Sequence, residues 1–186
     1  MKKIKTIFER DWDGNRGVID CYVESLQDKL KKATATEKID GMNVRVTVRN
    51  KTFVRIEKRR NPNKTQKQKG ITEPWYVDAN ESDPDDKYIF DGIKSTNLDS
   101  IPDGEFNGEL VGPKVQGNPL KLKNHRIVFF TLGQCPVFED APTDFDGLRE
   151  WLPKQKSKYG NDCGIEGIVW HCQDGEMFKI KCKDFK

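Results

Sequence analysis

The chain has 186 residues, of which 34% are charged and 34% hydrophobic, with a formal net charge of +3. That length gives room for one domain with a sizeable core and little for a second. No apolar run approaches the roughly 18 residues that a membrane span needs. The first residues, Met1-Lys2-Lys3-Ile4-Lys5, lack a following apolar stretch, so no signal peptide is predicted and a cytoplasmic or nuclear protein is expected. Five cysteines (Cys21, Cys135, Cys163, Cys172 and Cys182) are an odd number without a Cys-x-x-Cys pair, which points away from disulfides and zinc. Cys163, His171 and Cys172 are read as structural rather than as metal ligands.

In chain order, Val23, Leu26 and Leu30 have helical spacing ahead of the cluster Lys29 to Lys32. From Gly41 to Arg49, Met42, Val44, Val46 and Val48 alternate with Asn43, Arg45, Thr47 and Arg49, the period of a strand with one buried and one polar face. Phe53 to Glu57 returns antiparallel after a turn at Asn50-Lys51. Between Arg55 and Lys69 lie seven basic residues (Arg55, Lys58, Arg59, Arg60, Lys64, Lys67, Lys69) against one acid, Glu57. Such a run follows a phosphate backbone, or is simply a solvated loop. Glu73 to Asp86 is acidic, contains Pro74 and Pro84, and reads as an irregular surface excursion whose charges either face solvent or pair with the basic run. Further strands are predicted at Phe106 to Val111, Arg126 to Leu132, Ile165 to Trp170 and Met177 to Cys182, the last two joined by a turn at Asp174-Gly175. Thr143 or Asp144 caps a short helix carrying Phe145, Leu148, Trp151 and Leu152, stopped by Pro153. The class is α+β, mainly antiparallel sheets with a few outer helices, in one domain over residues 1–186.

Four segments carry chemistry. In Glu37-Lys38-Ile39-Asp40-Gly41 a lysine stands before a strand, where its amine can be presented at the mouth of a sheet. In Asp103-Gly104-Glu105-Phe106-Asn107-Gly108-Glu109-Leu110-Val111-Gly112-Pro113 glycines stand on both sides of Glu109, at Gly108 and Gly112, so backbone can approach a ligand while the carboxylate accepts from hydroxyls. Glu166 opens an otherwise apolar strand and needs a cation or donor as partner. In Phe178-Lys179-Ile180-Lys181-Cys182, alternation puts both lysines on one face. Each has a plain alternative: a surface turn at Lys38, a turn cap at Glu109, a structural ion pair at Glu166, and the wet face of an edge strand at Lys179 and Lys181.

Together and in this order, the segments resemble motifs I, III, IV and V of the covalent nucleotidyltransferases, the superfamily of polynucleotide ligases and capping enzymes. Gly108 to Pro113 with Gln116-Gly117-Asn118-Pro119 resembles RNA ligases rather than DNA ligases. Phe8 to Gly14, Lys58-Arg59-Arg60, Pro74-Trp75-Tyr76-Val77, Phe145 to Arg149 and Lys183-Asp184-Phe185 extend a likeness to compact stand-alone RNA ligases of the vertebrate RNA ligase 1 type and their viral relatives. For a viral chain the expected location is the host cytoplasm.

The resemblance implies that Lys38 is a nucleophile that takes AMP from ATP, with Lys179 and Lys181 catalytic and also in contact with the nucleotide. It places Glu37, Asp40, Gly41 and Arg59 at the nucleotide, Glu109 on the ribose hydroxyls, and Glu166 on Mg2+ (or Mn2+). Arg59 is preferred over Arg60 for the phosphates. Phe130 is either a ring stacked on adenine or a core residue. Asn43, Arg45 and Arg60 are assigned to the RNA, whose 5′-phosphate receives AMP before a 3′-hydroxyl attacks it; Arg45 is otherwise a surface position on a solvated sheet face. The chain ends five residues after Lys181, leaving no room for an oligonucleotide-binding-fold domain, which favours a ligase over a GTP-using capping enzyme. Retention of all five charged motif residues argues against an inactive RNA-binding module.

Overall fold

A computed structural model describes residues 3–23 and 26–186. The strands in chain order are β1 (Lys5–Thr6), β2 (Phe8–Arg10), β3 (Val18–Tyr22), β4 (Thr34–Glu37), β5 (Met42–Arg49), β6 (Thr52–Arg60), β7 (Trp75–Asp78), β8 (Gly104–Val111), β9 (Arg126–Phe129), β10 (Gly167–His171) and β11 (Met177–Lys181). The α-helices are α1 (Gln27–Leu30), α2 (Lys64–Gln68), α3 (Lys87–Lys94) and α4 (Phe145–Trp151). This is the α+β class expected from the sequence. No helix among the described residues is long and apolar enough to cross a membrane.

The fold comprises two compact units, one built on Asp40–Gln134 and the other on Ile4–Ile39 with Cys135–Lys186. In the first, the alternation of β5 does what period two requires: Val44, Val46 and Val48 are fully buried. Asn50 and Lys51, both at positive φ, close the hairpin to β6. The sheet order is β7-β6-β5-β8-β9, antiparallel throughout. Leu110, Ile127 and Phe129 complete the apolar face, and Ile89 of α3 packs onto it.

In the second unit the sheet order is β1-β11-β10-β4, with only β1–β11 parallel, and β2 and β3 form a separate hairpin. Ile168, Trp170 and Ile180 face a core shared with Phe8, Leu26, Leu30, Leu148 and Leu152. Asp144 caps α4 by accepting from the Gly147 N–H at 2.8 Å, and Pro153 lies in a 3-10 turn after it.

Several expectations are corrected. Helix α1 is a single turn, although Leu26 and Leu30 are buried as the spacing requires; Glu24 and Ser25, between Val23 and Leu26, lie outside the described residues. Lys64 to Lys69 is not a loop: Asn63 and Gln66 form a reciprocal capping box that nucleates α2. Within the supposed irregular excursion, Trp75–Asp78 adds a strand to β6, and the helix α3 just beyond it was not foreseen. The strand from Arg126 stops at Phe129. Of the cysteines read as structural, Cys172 is buried and Cys163 half-buried, and all five cysteines are free.

The basic run is also not uniformly available to phosphates. Arg55 pairs with Asp78 at 2.7 Å, and Lys58 is 6% exposed and pairs with the 1% exposed Asp86. Asp86 accepts as well from the Asn80 N–H at 2.9 Å, so one carboxylate ties the segment before α3 to the sheet. Losing one partner of a buried pair strands the other charge, at a cost of about 3–5 kcal/mol. Asp86→Ala should therefore lower unfolding stability by that order in urea titrations. A loss under about 1 kcal/mol would show that Lys58 finds water instead.

Candidate active site

In the second unit, β4 ends at Glu37 and the backbone stays beside β10 for one residue more, with the Lys38 N–H donating to Gly167 O at 2.9 Å. That register brings the side chain of Lys38 to Glu166, at the entry of β10. Lys38 Nζ lies 2.6 Å from Glu166 Oε2, and Lys181 of β11 donates to Glu166 Oε1. The close approach of the two strands depends on Gly167, where a Cβ would fall 2.1 Å from Ile180 O. Lys179 and Lys181 are both half-buried on the face of β11 opposite the buried Phe178 and Ile180, as alternation predicts.

The three charged side chains are only 12–19% exposed, so solvent does little to screen them. Burial alone would push the Glu166 carboxyl up. The adjacent Lys38 and Lys181 ammoniums outweigh it and hold Glu166 below its ordinary value. The sequence demanded a partner for Glu166, and the structure supplies two.

Glu37 is 1% exposed and is not part of this cluster. Its carboxylate accepts from Ser157 Oγ and from the Lys158 N–H, at 2.9 Å, so its side chain secures the 157–158 loop beside β4. It thus fixes the strand end that presents Lys38, with each carboxylate oxygen accepting one hydrogen bond from the 157–158 loop.

The other expected residues lie in the first unit. Gly41 precedes β5 where a Cβ would fall 2.1 Å from Leu110 O, and Asp40 beside it is half-buried. Asn43 and Glu109 are paired across β5 and β8, and the Asn43 Nδ2 donates to Gly108 O at 3.3 Å and to Glu109 Oε2 at 3.4 Å. Tyr76 Oη is 2.6 Å from Asn43 Oδ1 and 2.7 Å from Asn107 Oδ1. Neither Tyr76 nor Asn107 was singled out from the sequence; Pro74 to Val77 carried a resemblance but no role. Arg45 is not a solvated surface residue. It forks onto Glu57 at 2.6 and 2.7 Å and lies 4.2 Å over the Tyr76 ring.

Arg59 and Arg60 differ in kind. Arg60 is exposed, whereas the Arg59 Nε is buried without a hydrogen-bond partner. Phe130 is half-buried just past β9, with its N–H on Asn107 O at 3.1 Å, and the core position belongs to its neighbour Phe129.

Among the described residues there is no group of three or more His, Cys, Asp and Glu able to hold a metal. One carboxylate, Glu166, is what the lysine cluster offers. That fits Mg2+, which keeps several waters and is taken up with substrate phosphates, rather than an ion needing an all-protein cage.

A family model described as RNA ligase 1 matches residues 81–185. An RNA ligase 1 of Danio rerio is 36% identical over 75 residues, covering 39% of this chain and 22% of that protein. Among solved structures, a mutant Naegleria gruberi RNA ligase with ATP and Mn superposes with a TM-score of 0.56 at 13% identity, over 97% of this chain and 60% of that one. The same ligase with PPi gives 0.54 at 13%, over 97% and 59%. At such identities the likeness is one of fold, and the chain spans about a fifth of the curated relative and three fifths of the solved ones. The family model covers more than half of the chain, and with it the segments of Glu109, Glu166, Lys179 and Lys181: the chain belongs to the RNA ligase 1 family.

Proposed function

We propose that the protein is an ATP-dependent RNA ligase that joins a 5′-phosphate to a 3′-hydroxyl through a lysyl-AMP intermediate on Lys38, with both units belonging to one nucleotidyltransferase domain. The observation that carries this reading is the convergence of Lys38 and Lys181 on Glu166 in a half-buried site. A structural ion pair needs one lysine; a phosphate-handling site needs a nucleophilic amine and a second cation that stays behind.

Lys38 must leave the carboxylate, lose a proton and attack the α-phosphate of ATP, with pyrophosphate as leaving group. Lys181, and Lys179 on the same face, then hold the oxygens on which negative charge grows, a role for positioned cations. Mg2+ or Mn2+ bound with the phosphates at Glu166 would supply further charge neutralisation. AMP next passes to the RNA 5′-phosphate, and attack by the 3′-hydroxyl releases it. Glu109 is assigned the ribose hydroxyls, Phe130 the adenine, and Asn43, Arg45 and Arg60 the RNA. The geometry supports these assignments least at Arg45, whose guanidinium is already engaged by Glu57.

Incubation with labelled ATP or GTP and divalent metal tests the reading. Labelling from ATP, lost on acid treatment as a phosphorus–nitrogen bond requires, is the expected result; labelling from GTP alone, or none, overturns it.

Arg59 supports the same reading, because a buried donor without a partner costs about 1–3 kcal/mol and is relieved by an anionic acceptor. Arg59→Ala should weaken ATP binding about tenfold or more while leaving thermal stability unchanged or raised. Lower stability with unchanged ATP affinity would make Arg59 a structural residue.

A further inference from the structure

The most exposed large apolar side chain among the described residues is Trp12, 70% accessible at the tip of the β2–β3 hairpin. Its mount is not slack. The Asp11 N–H donates to Gly17 O at 3.0 Å and the Arg16 N–H to Asp11 O at 2.9 Å. Inside the loop, the Gly14 N–H donates to Asp11 Oδ1 at 2.9 Å and the Gly17 N–H to Asn15 Oδ1 at 2.7 Å. From outside, Arg10 Nη1 donates to Arg16 O and Lys186 Nζ to Asn15 O, each at 2.9 Å.

This mount is also keyed to the lysine strand. Arg10 Nη2 lies 2.5 Å from Asp184 Oδ1, and the other oxygen of that 5% exposed carboxylate accepts from the Lys181 N–H at 2.9 Å. One buried acid therefore sets the loop that carries Trp12 and the backbone that carries Lys181.

We propose that Trp12 is a stacking platform for a nucleobase of the RNA strand, an inference that rests on the ligase reading. The residues beside Trp12 in the loop are Asp11, Asp13, Gly14, Asn15 and Arg16, so the loop itself adds no further large apolar side chain to the ring. A base needs only one ring face, and stacking tolerates any base. Arg16 and Lys186 are exposed cations on the same loop and its brace, placed for flanking phosphates. Rigidity matters because a loop already braced loses little backbone entropy when the ring it carries stacks.

The test uses the full chain and a 5′-phosphorylated single-stranded oligoribonucleotide with a 3′ fluorophore. By anisotropy, Trp12→Ala should raise Kd about tenfold or more, and Trp12→Tyr should restore most of the affinity. Labelling by ATP, a step that precedes RNA, serves as the fold control in both variants. Wild-type affinity in Trp12→Ala, equal weakness in Trp12→Tyr, or no RNA binding by a wild type that labels normally would each overturn the stacking role. Tryptophan-dependent RNA binding by a wild type that never labels would uphold it and sink the ligase reading instead.

Discussion

Lys38→Ala should form no adduct with ATP and should be unable to join a 5′-phosphorylated RNA to a 3′-hydroxyl. Lys179 and Lys181 are proposed as the cations that stay behind on the oxygens of the phosphate, so neither is expected to take the place of Lys38. On the proposed reading, however, the Lys38 side chain serves only to carry AMP. Supplied with an RNA whose 5′ end is already adenylated, Lys38→Ala should still join it to a 3′-hydroxyl without ATP. Denaturing gels resolve both reactions. An adduct on Lys38→Ala, or loss of joining on the pre-adenylated strand by a folded variant, would remove Lys38 from the role given to it.

Glu166→Ala should be worse on the second substrate than on any measure of stability. Removing the carboxylate leaves Lys38 and Lys181 facing each other with little water to screen them. Both lose the acceptor that orients them, and losing one such electrostatic contributor costs on the order of a hundredfold in rate. Joining of a pre-adenylated strand should fall by at least that factor, and adenylylation with it. The pH dependence has a definite sign. Glu166 titrates below its ordinary value of 4.5 in the fold, so its ion pairs stabilise the protein above that value and are lost as pH falls through the lower one. Wild type should therefore lose stability in acid below about pH 4.5, and Glu166→Gln should lose less over the same range. An active Glu166→Ala beside a Lys38→Ala dead on pre-adenylated RNA would reverse the two roles.

Wherever a local period or a local motif suffices, the sequence by itself determined the outcome. Alternation placed Val44, Val46 and Val48 in the core and Lys179 and Lys181 on one face of β11, because successive Cβ atoms on a strand point to opposite sides. Turn chemistry at Asn50-Lys51 and the cap at Asp144 were legible for the same reason: each is settled within a few residues. The lysine, acid and paired-lysine segments were legible as a set through their resemblance to a known family.

Only the tertiary structure decided who meets whom. Lys38 and Glu166 are 128 positions apart, and nothing local told that the carboxylate sought by one is shared with Lys181. Lys58 reads from the sequence as one cation of a run for phosphates or solvent, whereas in the fold Asp86 is buried against it. Glu37, next to Lys38 in sequence, turns to Ser157 and Lys158 instead. Tyr76 became visible only when β7 was found on the edge of β6, at the register that sets its hydroxyl between Asn43 and Asn107. The physical reason is common to all four. A buried charge or hydroxyl must find a partner, but which one it finds is set by strand register and sheet order, and those depend on the packing of the whole chain.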